Sequence, residues 1–433
     1  MDPQRLNVLV AGAGIGGLTA ALYLAAIGCR VRVYESAAEI RELGVGINVQ
    51  PHGIKVLDHI GLGPALAQCG IGCEELIYFN RHGQEIWREP RGRKAGYKWP
   101  QVSIHRGRLQ GLILRAATER LGADAIRAGH HLARFEQDER GVTAQFVDKR
   151  SGALLATERG DVLIAADGIH STVRRTFYPG EGEPRFSGQL MYRGVSDGTP
   201  FLSGRSMFMA GHALQKVVAY PMSQEAAQRG GCEINWIGEK TIPPETPMVR
   251  EEYNRRADLS EILPWFENWR FGWLDIPAMM RGCKELYVFP KVDRDPIPKW
   301  TFGRVTLLGD AAHPMHPAGS NGATQAIVDA PALAKAIITS PDPQSALIAY
   351  EAVRREAVSK LVTVNRAQMG PESVMILAEQ RAPEGFRDVL DVFTQEELES
   401  ASSNYRRLAG FDQAALDTID PILDEAMKTG EPR

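Results

Sequence analysis

Residues 7–35 read NVLVAGAGIGGLTAALYLAAIGCRVRVYE, and this stretch decides the fold. Asn7 to Val10 is apolar and strand-like. A turn follows that carries Gly12, Gly14, Ile15, Gly16 and Gly17, and Leu18 to Ile27 are helix formers ending at Gly28. A second strand, Arg30 to Tyr34, then ends at Glu35. Strand, glycine turn, helix, strand and acid are the order and spacing of a dinucleotide-binding unit. Gly12 permits the tight turn, Gly14 lets a pyrophosphate approach the backbone, and Gly17 lets the helix sit close to the sheet. The helix start faces the phosphates, and Glu35 can accept hydrogen bonds from a ribose. The glycine spacing alone is a weak signal; the flanking elements in order make it a strong one.

Two later stretches also deliver an acid at the end of a strand. Val162 to Ala166 is a buried-strand candidate ending in Asp167-Gly168-Ile169-His170-Ser171, with Arg174 close behind. Ligands of open α/β sheets sit at such strand ends, although a lone Asp-Gly is by itself only a turn. Residues 305–323 read VTLLGDAAHPMHPAGSNGA. Here an apolar run stops at Gly309, Asp310 presents a carboxylate, and Gly322 opens a helix. An acid followed by the bare amides of a helix start suits a polar, electron-rich ligand.

The remainder of the chain bounds what that ligand serves. With 433 residues there is room for two or three domains and a large core. A formal charge of -3 argues against nucleic-acid or anionic-membrane partners, which need a dominant basic face. No apolar run approaches the roughly 20 residues of a spanning helix, and MDPQRLNVLV has no signal-peptide pattern. Five scattered cysteines, Cys29, Cys69, Cys73, Cys232 and Cys283, point to reduced thiols and a cytoplasmic setting. Cys69 and Cys73 have no further ligands beside them, and His313 and His316 lack a third, so no metal is expected. Monomer and homodimer both stay open.

The expected organisation is an α/β dinucleotide-binding domain over 1–178 and 293–368, interrupted at 179–292 by an antiparallel sheet. The segment 369–433 is expected to add helices that serve the core or a partner. Leu76 to Trp87 suggests a hairpin turning at His82-Gly83. Short alternating segments at 190–195, 206–210, 217–220 and 233–237 suggest the inserted sheet, with Trp265, Trp269 and Trp273 among helix-like residues beside it. Ser345 to Arg366 reads as an amphipathic helix with Tyr350, Val353, Ala357, Leu361 and Val364 on one face. Pro331 falls inside the helix expected from Ala323 to about Ile338, where it costs about 3 kcal/mol, so a kink or early end is expected there.

Together, Gly12-x-Gly14-x-x-Gly17, Asp167-Gly168 and Gly309-Asp310 resemble the three fingerprints of the single-component FAD-dependent aromatic hydroxylases, flavoprotein monooxygenases with the para-hydroxybenzoate hydroxylase fold. The likeness covers roughly residues 6–366. The loop Gly44 to Ile47, Ser103-Ile104-His105-Arg106 and Asp293-Arg294-x-Pro296 look most like the phenazine hydroxylase branch. The resemblance implies a three-layer FAD-binding fold with Gly12, Gly14, Ile15, Gly16, Gly17, Glu35, Ser36, Val45, Gly46, Arg106, Leu132, Asp167, Gly309, Asp310, Gly322 and Ala323 around FAD. Glu35 matches the acid on the adenosine ribose, Arg106 an arginine that contacts FAD, and Asp310 the carboxylate on the ribityl chain. Gly322 and Ala323 match the helix-start amides beside the flavin's pyrimidine edge, where a helix N-terminus stabilises reduced, anionic flavin by about 0.3–2 kcal/mol. Asp167 matches the acid that serves both FAD and nicotinamide binding. Ser320 stands where many relatives carry glutamine.

The implied reaction is hydride transfer from NADH or NADPH to FAD, then reaction with dioxygen, and hydroxylation of an aromatic or heteroaromatic ring through a flavin C4a-hydroperoxide. Candidate catalytic residues are Pro317 in the loop beside the flavin, and His316, Arg193 and Tyr220 facing the substrate. Each has a bland alternative: loop shape for Pro317, a satisfied loop histidine for His316, sheet packing for the other two. With many apolar residues and no arginine cluster in the inserted sheet, a flat apolar ring is favoured over a multiply charged one. Two other classes stay open. A flavin-dependent halogenase would carry Trp-x-Trp-x-Ile-Pro, but the nearest stretch, Gly272 to Pro277, has neither tryptophan in register. A non-catalytic flavin- or ligand-binding protein would bind FAD without ligand-stimulated NAD(P)H use.

Overall fold

Parallel strands covered on both faces must be apolar along their whole length, and Asn7–Ala11, Val162–Ala165 and Val305–Leu307 are buried almost throughout. The computed structural model describes residues 1–40, 44–243, 255–367, 370, 372–409, 416 and 420–429. Strand β1 (Asn7–Ala11) is central in a six-stranded sheet. From one edge the order is Thr301–Phe302, Val305–Leu307, Val162–Ala165, β1, β2 (Arg30–Tyr34) and Ile126–Arg127. All neighbours pair in parallel except the edge strand Thr301–Phe302. Helix α1 (Ile15–Ala26) connects β1 to β2 and is buried at every position from Ile15 to Leu24. It packs on helices Arg106–Leu121 and Gly322–Thr339. The three acids that follow the glycine turn, the Asp-Gly and the Gly-Asp stretches therefore meet at the carboxyl end of one sheet.

A second, eight-stranded sheet stands over that end. Its order is Arg255–Arg256, Cys283–Asp293, Arg185–Gly198, Cys232–Thr241, Gln215–Pro221, Ser206–Gly211, Glu75–Phe79 and Glu85–Pro90. The hairpin around Gly83 thus leaves the first segment of the chain and completes the second sheet. Glu75–Phe79 pairs in parallel with Ser206–Gly211. Side chains alternate between faces with period two. Val217 and Ala219 enter an outer core with Phe79, Phe208, Trp236 and Phe266. Val218 and Tyr220 join Met207, Met209 and Ile237 on the other face, where Val374, Met375 and Phe393 of the C-terminal segment pack. Of the three tryptophans expected among helical residues, only Trp265 lies in a helix (Leu263–Phe266), and Trp269 and Trp273 pack on the outer core.

Two expectations about the late helices need correction. Of the kink or early end expected at Pro331, the early end does not occur: helix Gly322–Thr339 continues through it. Being packed between α1 and helix Pro343–Arg366, it is held by tertiary contacts that override the local penalty. In helix Pro343–Arg366 the inward stripe runs through Tyr350, Arg354, Val358, Leu361 and Asn365, whereas Val353 is 71% exposed and Ala357 is exposed too. The stripe was displaced because it passes through Arg354, whose guanidinium pairs with Asp329 at 2.8 Å. A count of apolar residues alone cannot register a buried ion pair.

Candidate active site

The glycines of the first turn divide into structural and open ones. Gly12 has φ +105, and a Cβ there would lie 2.2 Å from the Ala166 carbonyl oxygen, so two strand ends touch at this point. A Cβ on Gly17 would lie 2.1 Å from the Gly12 carbonyl oxygen, which sets the helix hard against the turn. Gly14 faces open space, with nothing within 4 Å of its ideal Cβ. No side chain caps α1, so its first amides stay free for an anion. Glu35 braces the turn: Oε2 accepts from the Ala13 amide at 2.8 Å, and Oε1 accepts from the Ala37 amide and the Ser36 hydroxyl. A carboxylate retains further lone-pair sites for ribose hydroxyls.

Gly14 through Gly17, Arg106, Gly168, Gly309, Asp310, Gly322 and Ala323 line one half of a cavity of about 350 Å3. Asp310 lines the cavity with its side chain accessible at the wall. Desolvation by the surrounding protein raises its carboxyl above the ordinary value, while His313 and Arg106 oppose the shift. Burial likewise raises Asp167, whose Oδ2 accepts from the Thr172 amide at 2.8 Å while Oδ1 has no partner among the described residues. Asp167 itself is not on the cavity wall, which Ala166 and Gly168 line on either side of it. Free helix-start amides, an open glycine and a carboxylate on the cavity wall are donors and acceptors that a pyrophosphate, ribityl chain and isoalloxazine require. The residues fit FAD.

Two buried charged groups hold the loops of this half. Asp329 accepts from the Gly309 amide at 3.0 Å, from His313 Nε2 at 2.8 Å and from Arg354 Nε at 2.8 Å. Arg174, 1% exposed, donates to the Ala311 and Ala312 carbonyls and to that of Asp295, and pairs with Glu181. It therefore ties the Asp167-Gly168 stretch to the Gly309-Asp310 stretch. Farther on, Gly319 and Ser320 both have positive φ, +61 and +56. Ser320 is thus in a backbone region that costs a non-glycine residue about 1–3 kcal/mol. The Tyr405 hydroxyl, from helix Gln395–Leu408, receives a hydrogen bond from Asn321 Nδ2 at 2.9 Å and lies 3.1 Å from the Ala318 carbonyl and 2.8 Å from Asn365 Oδ1. A residue of the C-terminal segment fixes the loop at the start of the flavin-end helix.

The eight-stranded sheet supplies the other half of the cavity. Met207, Met209, Val218 and Ile237 form an apolar floor. Arg193 and Tyr220 both line the cavity and bond to each other. Arg193 donates to the Gly46 carbonyl at 2.7 Å, and its Nε has no partner among the described residues. Burial lowers the Arg193 guanidinium, Tyr220 opposing it, and burial pushes the Tyr220 hydroxyl up to about 12. Gly46 is locked between the halves, its amide donating to Asn235 Oδ1 at 2.7 Å, and Val45 accepts from the Arg106 amide. Pro317 lines the cavity.

His316 does not face the cavity. It is buried, turned toward Asp293 at 3.6 Å, and burial lowers its imidazole below the ordinary value. Pro317 and His316 are adjacent, so a turn that shows one to the cavity turns the other inward. Leu132 is buried in a three-stranded sheet beside Phe146 and is not part of the cavity wall. Four charged residues unmarked in the sequence reading, Lys216, Glu239, Lys291 and Glu372, reach the cavity from three strands and the C-terminal segment. The alternation Lys216-x-Val218-x-Tyr220 was the one available signal for them. Among the described residues no three metal-ligating side chains converge, and no helix is long and apolar enough to cross a membrane.

The chain is similar to characterised proteins in sequence and fold. The family described as FAD binding domain matches residues 5–195 and 291–365, and the chain belongs to the FAD-dependent aromatic hydroxylases. It is 44% identical over 370 residues to the phenazine 1,6-dicarboxylic acid hydroxylase PhzS of Lysobacter antibioticus, covering 84% of this chain and 89% of that one. It is 32% identical over 377 residues to 3-hydroxybenzoate 6-hydroxylase 1 of Aquipseudomonas alcaligenes, covering 83% and 88%. In fold it matches a salicylate hydroxylase substrate complex with a TM-score of 0.71 at 22% identity, over 99% of this chain and 98% of that one. The protein is an FAD-dependent monooxygenase of a class that takes its electrons from NAD(P)H. Halogenation is not favoured, and Trp273 of the nearest halogenase-like stretch stacks on Phe79 in the outer core, 4.4 Å between centroids.

Proposed function

We propose that the protein hydroxylates a flat, fused heteroaromatic ring of the phenazine kind, laid on the floor of Met207, Met209, Val218 and Ile237. The observation that carries this reading is the continuity of that apolar floor with the FAD-fitting half in one cavity. The 44% identity to a phenazine dicarboxylic acid hydroxylase supports it.

Bound FAD supplies the passage of electrons from NAD(P)H to dioxygen and the transfer of one oxygen atom to the ring. The protein's share is positioning and exclusion of water. With FAD bound, the uncapped start of α1 and Gly14 would hold the pyrophosphate, Glu35 with Ser36 the adenosine ribose, and Asp310 the ribityl hydroxyls. Gly322 and Ala323 would offer their amides to the ring, with Pro317 in the loop beside them. Asp167, flanked by the cavity-lining Ala166 and Gly168, would shape this strand end through its bond to the Thr172 amide. Arg193 and Tyr220 touch the ring edge and can hold a phenolic or ring-nitrogen proton at the Tyr220 oxygen. In this assignment residues 1–178 and 293–368 bind the cofactor, 179–292 together with the hairpin of Glu75–Phe79 and Glu85–Pro90 bind the ring, and residues 372–409 of the C-terminal segment seal the cavity. The five free cysteines accord with a reducing, cytoplasmic setting.

The test is NAD(P)H oxidation by the FAD-loaded enzyme with a panel of phenazine, benzoate and pyridine carboxylates, followed by mass analysis. A phenazine should accelerate oxidation and yield a product heavier by one oxygen. Acceleration by single-ring compounds alone, with phenazines inert, would overturn the substrate class.

A further inference from the structure

The cavity floor is a ladder whose rows are set by strand register. On strand Gln215–Pro221 the cavity-facing residues are Lys216, Val218 and Tyr220, opposite Glu239, Ile237 and Asn235. At about 3.3 Å per residue, the Lys216 row lies roughly 13 Å from the Tyr220 row. The middle row, extended by Met209, is apolar. The far row is charged. Lys216 Nζ lies 2.5 Å from Glu372 Oε2 and 3.4 Å from Glu239 Oε2. Lys291 Nζ lies 3.2 Å from the same Glu239 oxygen and 3.0 Å from Gln189 Oε1. All four charged residues are buried, the Lys216 side chain being the most accessible at 11%, and all four line the cavity.

Such a cluster is costly to bury and does not stabilise the fold better than apolar packing. Each ammonium has three N–H donors, and for each only two acceptors are present among the described residues. Burial disfavours charge on Lys216, Glu239 and Glu372, yet the two glutamates raise Lys216, and the lysines lower Glu239 and Glu372, so the pairing favours the charged forms. Two positive and two negative charges balance, so a further buried anion requires one carboxylate to leave. Glu239 is fixed in mid-sheet, shared by both lysines and paired on both sides through its strand. Among the described residues the Glu372 carboxylate is bonded to Lys216 alone, at the start of helix Ser373–Arg381.

We propose that Lys216 and Lys291 anchor a carboxylate on the substrate ring at the end of the cavity opposite Tyr220, and that this carboxylate takes the place of Glu372 on Lys216. The inference rests on the hydroxylase reading above and adds a polarity to it. The ring's anionic edge lies at the Lys216 row and its reacting edge toward Pro317, Arg193 and Tyr220. Glu372 is the counterion of the ligand-free protein.

The test is equilibrium binding to the full-length, FAD-loaded protein, read from the visible flavin spectrum without turnover. Phenazine-1,6-dicarboxylate and its diamide are the paired probes, and the ratio of their Kd values is the readout. The wild type should prefer the dicarboxylate. Lys216→Met should reduce that preference at least ten-fold, and Glu372→Gln, which frees Lys216, should increase it. The double variant Lys216→Met with Glu372→Gln keeps the charges balanced, so it serves if the single lysine change does not fold, and it too should lose the preference. Equal ratios in all four proteins would overturn the anchor while leaving the hydroxylase reading intact. If neither probe shifts the flavin spectrum nor raises NAD(P)H oxidation, the phenazine reading falls and the anchor with it.

Discussion

Gly14→Ala separates cofactor binding from folding more cleanly than any other change in the first turn. At Gly14, φ is -69 and ψ 175, a backbone that alanine adopts without strain. Its Cβ would meet nothing within 4 Å. The FAD-free variant should therefore fold as the wild type does, and by lowering the entropy of the unfolded chain the alanine should stabilise it by about 0.4–1 kcal/mol. The same methyl projects into the space assigned to the pyrophosphate. Displacing that group far enough to lose one charge-assisted hydrogen bond costs about 1.5–3 kcal/mol, which is about 10- to 150-fold in Kd for FAD. Gly12→Ala is the control with the opposite signature. Its Cβ lies 2.2 and 2.7 Å from the Ala166 carbonyl oxygen and carbon at φ +105, so the fold itself must give way. Thermal melts of FAD-free protein and fluorescence titration with FAD measure the two quantities independently. A Gly14→Ala protein that melts well below wild type, or that binds FAD with unchanged affinity, would refute the division of labour between these glycines.

Asp310→Ala should leave a folded protein that loses FAD on dialysis; unchanged flavin content would remove its ribityl assignment. Asp329→Asn should destabilise the protein by about 3–5 kcal/mol, since it unpairs Arg354 and His313 in the interior, and denaturant unfolding measures this. Burial raises the Asp329 carboxyl, but His313 and Arg354 outweigh it and hold the group below the ordinary carboxylate range. Its stabilisation is thus complete above the unfolded value and is lost as pH falls through the lower folded value, so Asp329→Asn should flatten the acid limb of a stability-versus-pH curve. Tyr405→Phe removes the hydroxyl that holds Asn321, and should cost about 1–3 kcal/mol. It should also speed FAD dissociation in stopped-flow displacement, and an unaltered off-rate would detach Tyr405 from the cofactor loop.

The cofactor half was legible because each of its parts lies within one short run of sequence. Strand, turn and acid adjoin at 7–35, and the backbone geometry they require admits few residue types. Asp310 and Gly322 are likewise separated by one loop. The substrate half was less legible because its chemistry is assembled by register across strands far apart in the chain. Lys216 and Lys291 share the carboxylate of Glu239 only once three strands pair, and nothing in the sequence sets Glu372 beside them. The expected bland role of the C-terminal helices overlooked Glu372 and Tyr405 for the same reason. Alternation did identify Tyr220 and Arg193 as side chains of the inserted sheet. His316 was misjudged because adjacent residues in a loop with two prolines need not share a direction. Val353 and Ala357 were misplaced because the true inward stripe contains an arginine.

The parallel pairing of Glu75–Phe79 with Ser206–Gly211 has a consequence for exchanging specificity between relatives. A chimera that imports residues 179–292 alone would place a foreign Met209 strand against the host's hairpin. A mismatch there exposes an unpaired edge in the middle of the ring-binding floor, and exposed edges recruit other chains. The transplantable unit is discontinuous: the hairpin of Glu75–Phe79 and Glu85–Pro90, the insert, and the stretch bearing Glu372 must travel together. Grafts cut at the apparent boundaries of the insert should yield aggregates, whereas three-piece grafts should yield soluble protein with the donor's ring preference.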